Sequence, residues 1–158
     1  MLELNLPTLH KHLKKSFDAE LQKENKQIAI MLKVSEHEVP LFVGILHDTL
    51  VQMIAYLPFE IKENSAGEVG RFLHLLNKQL DLPGFGMDES AGLIFYRAVI
   101  PCLKPEVDEE LFDAYLRTLQ NACQTVLEGI KQAADSGSPI AQAAKISKVA
   151  EKITPRKV

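Results

Sequence analysis

Histidines, cysteines and a glycine-bearing loop are where chemistry would have to reside in this chain. His10 and His12 stand two residues apart. On a helix that separation sends side chains to different sides, so they read as solvated groups and not as paired metal ligands. His37, His47 and His74 are scattered over turn, strand edge and helix. His47-Asp48 has the types of a base and its orienting carboxylate, yet it divides two apolar runs, where turn chemistry accounts for it. Residues 81–92 hold Gly84, Gly86 and Gly92 beside Asp88 and Glu89. No Gly-Lys-Ser/Thr follows and no helix opens there, so these are hairpin glycines and not a phosphate cradle. Cys102 has only Lys104 near it in sequence to favour a thiolate, and Cys102 and Cys123 lack metal-ligand spacing. The expectation is a protein that is not an enzyme, with no catalytic residue, no metal and no cofactor.

Composition narrows the remaining classes. A chain of 158 residues, 46% hydrophobic, can bury one core of ordinary size. A net charge of −3 argues against a surface built to grip phosphate backbones, so no nucleic-acid partner is expected. Two cysteines give no disulfide framework and fit a reducing compartment. Residues 1–17 mix Leu with Lys, His and Asp and show no unbroken apolar stretch, so the expected location is cytoplasmic.

The elements that must position any site follow from hydrophobic period. Leu6, Leu9, Leu13 and Phe17 predict a first helix, with Pro7 near its start and Thr8 as its cap. A charged connector at residues 20–26 leads to a strand at 27–34, and two further strands, 41–47 and 49–57, flank His47-Asp48. Ser65 and Glu68 stand as S-x-x-E before the stripe Val69, Phe72, Leu73, Leu76 and Leu80, a second helix. Residues 85–88 and 93–100 form a hairpin around 89–92. Asp108, Glu109 and Glu110 open a third helix whose apolar face runs through Leu111, Phe112, Tyr115, Leu116, Leu119, Cys123, Val126, Leu127 and Ile130. The fold class is therefore α+β, in the order α-β-β-β-α-β-β-α, with three helices and one antiparallel sheet of about five strands. Residues 1–134 make the domain. A break at residues 135–139, rich in Ser, Gly and Pro, starts a flexible Lys-rich tail over 135–158.

A two-residue turn at His47-Asp48 pairs Leu46 with Thr49, Val43 with Gln52 and Phe42 with Met53. One sheet face then holds Ile28, Ile30, Leu32, Leu41, Val43, Ile45, Leu50, Ile54 and Tyr56, and forms the core. The other holds Ala29, Met31, Phe42, Val51, Met53 and Ala55, where a half-exposed sheet would normally be polar. Its cover is one of the chain's helices, a second copy in a homodimer, or a client polypeptide, and the flexible methionines suit the last. The candidate partner-binding residues are Met31, Phe42, Val51, Met53 and Ala55. In the tail, Ile146, Val149, Ala150 and Ile153 share one helical face and Lys145, Lys148 and Lys152 another. A short amphipathic helix there would offer these three lysines as a contact for a membrane surface, an acidic partner or a nucleic acid, although so short a helix is marginal alone and such a tail is more often a mobile, solvated end.

One segment has a pattern that is more than local. Residues 72–80, FLHLLNKQL, carry L-N-x-x-L on the second helix; residues 84–88, GFGMD, and 92–97, GLIFYR, follow in the hairpin. Together with the order of elements, this resembles the type III secretion chaperone-like fold, and YbjN-like proteins within it, over roughly residues 6–130. The resemblance implies a small bacterial protein without ATP chemistry, often a homodimer. Its chaperone members hold an extended segment of a secreted effector on apolar patches. YbjN-like members are implied to be regulatory or interaction proteins, and the alternative function is then a dimeric regulator or scaffold whose basic tail makes the contact.

Overall fold

The computed structural model describes the backbone of residues 1–135 and 144–146, and side chains as far as residue 129. In chain order the elements are β1 (Leu2–Glu3), α1 (Leu6–Leu13), β2 (Ala19–Gln22), β3 (Gln27–Val34), β4 (His37–Leu46), β5 (Leu50–Ile61), α2 (Ala66–Asn77), β6 (Phe85–Asp88), β7 (Leu93–Pro101), β8 (Glu106–Val107), α3 (Glu109–Asp135) and β9 (Ala144–Ile146). The α+β class, the three helices and the antiparallel sheet are as expected. Strands run in the order β2-β3-β4-β5-β7-β6, with β9 beside the end of β5, and β1 pairs β8 in a separate ribbon.

The additional strands lie where the sequence looks polar. β2 falls partly in the charged connector and pairs with β3 from Ala19↔Ile30 to Gln22↔Gln27. An edge strand needs only one apolar row, and Ala19 and Leu21 supply it, so the charges beside them do not prevent pairing. Lys26, with φ 51°, takes the left-handed conformation that lets the chain reverse. Within the segment read as tail, β9 pairs antiparallel with the end of β5, Phe59↔Ile146 and Ile61↔Ala144. The rest of the tail helix suggested by residue spacing, from residue 147 on, lies outside the described residues.

Two helix caps differ from expectation. Asn5, and not Thr8, caps α1: its Oδ1 accepts from the Thr8 N–H at 2.8 Å, and Pro7 occupies the first turn, where no N–H is needed. Ser65 ends a short 3-10 turn, Glu63–Ser65, and makes no side-chain cap bond to α2. Its Oγ reaches Asn64 instead, at 3.4 Å. For α3 the expectation holds, since Asp108 Oδ1 accepts from the Leu111 N–H at 2.8 Å.

All three helices pack on one face of the sheet. Leu9 and Leu13 of α1, Val69 and Leu73 of α2, and Phe112, Leu116, Leu119, Cys123 and Val126 of α3 share one core with Ile28, Ile30, Leu41, Val43, Met53, Ala55 and Ala98. Leu111, expected on the apolar face of α3, is instead exposed at its first turn.

His12 corrects the reading of a solvated pair. It is buried between α1 and α3, with its Nε2 2.7 Å from Asp113 Oδ1 and its ring edge-on to Phe112. Its Nδ1 lies 3.3 Å from Glu109 Oε1 without the alignment of a hydrogen bond. His10 Nε2 meets the Ala19 carbonyl at 2.9 Å. Both histidines thus fasten α1 to its neighbours.

Candidate functional site

The face opposite the helices is decided by the β4–β5 turn. His47 and Asp48 both adopt positive φ, 52° and 56°, and the Thr49 N–H donates to the Leu46 carbonyl at 3.1 Å. Up to this point the two-residue turn is present. Thr49 then gives its carbonyl to the Cys102 N–H at 2.8 Å and stays outside the β4–β5 ladder. It acts as one extra residue, so Leu46 pairs with Leu50, Val43 with Met53 and Phe42 with Ile54.

A slip of one residue transfers every side chain of β5 to the opposite face. Val51, Met53 and Ala55, expected on the outer face, are fully buried in the core under the helices. They cannot contact a partner on the folded protein. Leu50, Ile54 and Tyr56, assigned to the core, stand on the outer face. Phe42 and Met31 remain where expected, and Met31 is 39% exposed.

The corrected outer face therefore carries Ala29 and Met31 from β3, Pro40 and Phe42 from β4, Ile54 and Tyr56 from β5, and Leu93 and Phe95 from β7. Ile54, Tyr56 and Leu93 form a second apolar cluster, separate from the core, with Phe42 and Phe95 packed against it. Tyr56 meets both phenylalanines edge-on, at 6.1 and 6.4 Å between ring centres. Such contacts contribute about 0.5–1.5 kcal/mol each beyond burial and fix the rings in place. Polar groups surround the cluster on this face: Gln52 and Arg97, joined by an Nε···Oε1 bond of 2.6 Å, then Glu20, Gln22, Glu60 and Asp88. An apolar centre within a polar rim is the arrangement of a protein contact.

The sequence pattern on α2 and the second hairpin has a structural purpose. Asn77 Nδ2 donates to the Phe85 carbonyl at 2.9 Å, and its Oδ1 accepts from the N–H groups of Gly84 and Phe85 at 3.3 and 3.0 Å. A Cβ at Gly84 would lie 2.3 Å from the Arg97 carbonyl oxygen, and one at Gly86 would lie 2.6 Å from the Phe95 ring. At Gly84, against fixed backbone, only glycine fits, whereas at Gly86 a side chain would have to displace the Phe95 ring. Asp88 Oδ1 accepts from Ser90 Oγ and the Ala91 N–H, closing the hairpin turn. Tyr96 donates to the Leu82 carbonyl at 2.6 Å from the core side, where burial pushes its phenol up to about 12. These residues fasten α2 to the sheet and hold Phe95 on the outer face.

Neither cysteine is arranged for reaction. Burial pushes the Cys123 thiol up to about 12, and it raises Cys102 as well, against a smaller opposing effect of the Val51 backbone. Both are thus held as neutral thiols. Among the described residues, no group of three or more His, Cys, Asp or Glu side chains could hold a metal ion, and no helix is long and apolar enough to cross a membrane. Of the tail lysines, Lys145 lies in β9, while Lys148 and Lys152 lie outside the described residues.

The architecture is thus an α+β protein whose main antiparallel sheet has the described helices on one side and an aromatic cluster on the other. The chain belongs to the YbjN family, described as "putative bacterial sensory transduction regulator", which matches residues 12–132. No curated protein matches it. Its structure is similar to the crystal structure of YbjN from E. coli, described as "a putative transcription regulator". The TM-score is 0.61 at 11% identity, covering 82% of this chain and 96% of that one. At that identity the likeness speaks for the fold.

Proposed function

We propose that this protein is a non-catalytic regulator that acts by binding an extended, apolar segment of another polypeptide on the outer sheet face. The observation that carries this reading is the cluster of Phe42, Ile54, Tyr56, Leu93 and Phe95 on the side away from every described helix. The family's description, one of regulation, favours this over the secretion-chaperone version, in which the bound segment belongs to a secreted effector. A second copy of the chain seated on the same face is the competing occupant.

The test uses a panel of synthetic peptides with alternating apolar residues, titrated against the native protein and against Phe42→Asp. Selective binding that weakens at least ~10-fold in a folded Phe42→Asp protein supports the reading, since charge in an apolar contact costs more than 1.4 kcal/mol. Equal binding by both proteins, or concentration-dependent dimerisation abolished by Phe42→Asp without peptide binding, overturns it.

A further inference from the structure

We infer that the edge of β5 at Phe59–Ile61 is a strand-addition site, filled in this structure by the chain's own β9 and open by exchange to an extended segment of another polypeptide with a cationic residue between two apolar ones. The site lies at an edge of the sheet, apart from the aromatic cluster, and does not depend on the reading of that cluster.

The site exists because the sheet divides. β4 stays paired with β3 as far as Val34↔His37, but its ladder with β5 ends at Leu41↔Ala55. The residue of β4 beyond that pair is Pro40, which has no N–H to lengthen a ladder. β5 nevertheless runs on to Ile61, with β7 along its other edge at Glu60↔Leu93. The edge that β4 leaves is therefore a row of backbone groups able to pair with another strand. β9 takes it over three residues: Phe59↔Ile146, Glu60↔Lys145 and Ile61↔Ala144.

The backbone hold on β9 is slight. Ile61 gives its N–H to the Gly92 carbonyl at 2.8 Å on the β7 side, so by alternation along the strand it is Glu60 whose backbone faces β9. Within three paired residues, one residue of β5 thus turns both its backbone groups to β9. A ladder that short opens readily, since even a complete two-stranded hairpin is marginal in water.

The register defines what fits. Phe59 and Ile61 are buried in the core, whereas Glu60 is exposed. Residues directly opposite in an antiparallel pair share a face, and opposite charges there attract. A strand entering this edge therefore needs apolar residues opposite Phe59 and Ile61 and a cation opposite Glu60. Ala144, Lys145 and Ile146 meet that pattern in residue type. An extended segment with the same pattern can take their place, its main chain supplying affinity and its alternating residues selectivity.

Fluorescence anisotropy on the full chain tests this, with a labelled synthetic peptide centred on Val-Lys-Val and its Val-Glu-Val counterpart. Lys145→Pro removes the N–H that β9 brings to Glu60, and should tighten binding of the Val-Lys-Val peptide about 10-fold, the gain for an edge otherwise open roughly a tenth of the time. That peptide should bind about 5-fold more tightly than Val-Glu-Val, and Glu60→Lys, a change at an exposed position, should reverse the order. Equal binding to the native and Lys145→Pro chains, a preference that Glu60→Lys leaves untouched, or no binding of either peptide to the Lys145→Pro chain overturns the inference. So does a native chain that sediments as a dimer and becomes a monomer with Lys145→Pro, because β9 of a second copy is then the occupant.

Discussion

The two faces of this sheet are built from neighbouring residues of the same strands, and they obey different rules. Met53 and Ile54 adjoin in β5, yet Met53 is locked beneath three helices and Ile54 belongs to a small aromatic cluster on the other side. The inner face is a closed core in which each side chain meets strands below and helices above. On the outer face, ring contacts and the Arg97–Gln52 bond fasten side chains sideways. Stability should therefore depend mainly on the first face and recognition on the second.

The sharpest test of that division is truncation on the inner side. Met53→Ala should cost about 2–5 kcal/mol in urea denaturation, through lost burial and the cavity left behind. A loss below ~1 kcal/mol would mean that the register slip at Thr49 is wrong.

Next in size is the fastening of α2 to the hairpin. Asn77→Ala leaves two N–H groups and one carbonyl without their partner, and should cost about 2–3 kcal/mol. Because Phe95 is held by the same hairpin, peptide affinity should fall along with stability. An unchanged melting temperature would separate the outer face from that fastening.

The pH dependence of stability is a third probe, specific to the inner side. Tyr96 and Cys123 are raised to about 12 in the folded protein, so each keeps its proton there after the unfolded chain has released it. Their contribution is complete below the unfolded values, roughly 8.5 for the thiol and 10 for the phenol. Above these, stability should fall by about 1.4 kcal/mol per pH unit for each group until pH 12. Urea midpoints that stay flat from pH 9 to 11 would contradict this.

The smallest expected effect lies outside. Phe42→Ser should cost no more than about 1 kcal/mol, because the ring is half-buried and leaves no enclosed cavity. Peptide binding should nonetheless weaken markedly. A loss as large as that of Met53→Ala would show that the outer cluster is a second core and not a contact surface.

Helical period and strand alternation were legible along most of the chain. Three helices, the second hairpin and the motif through Asn77, Gly84, Gly86 and Tyr96 could be read from residue order alone, because each rests on local spacing or on a glycine's unique fit. β2 escaped because an edge strand carries too short an apolar row to show among charges. His12 escaped because its burial depends on α3, about a hundred residues away.

The candidate site was half legible. That both sheet faces are apolar is written in residues 28–32, 41–43 and 50–57, where hydrophobic side chains occupy successive positions and leave no polar row. Which of them face outward is not written there. That was decided by Thr49, whose carbonyl bonds to Cys102 just beyond the end of β7 and so drops out of the β4–β5 ladder. Local sequence determined the strands and their greasiness, whereas register needed a hydrogen bond between residues 53 positions apart, and with a side-chain period of two a single extra residue reverses the face.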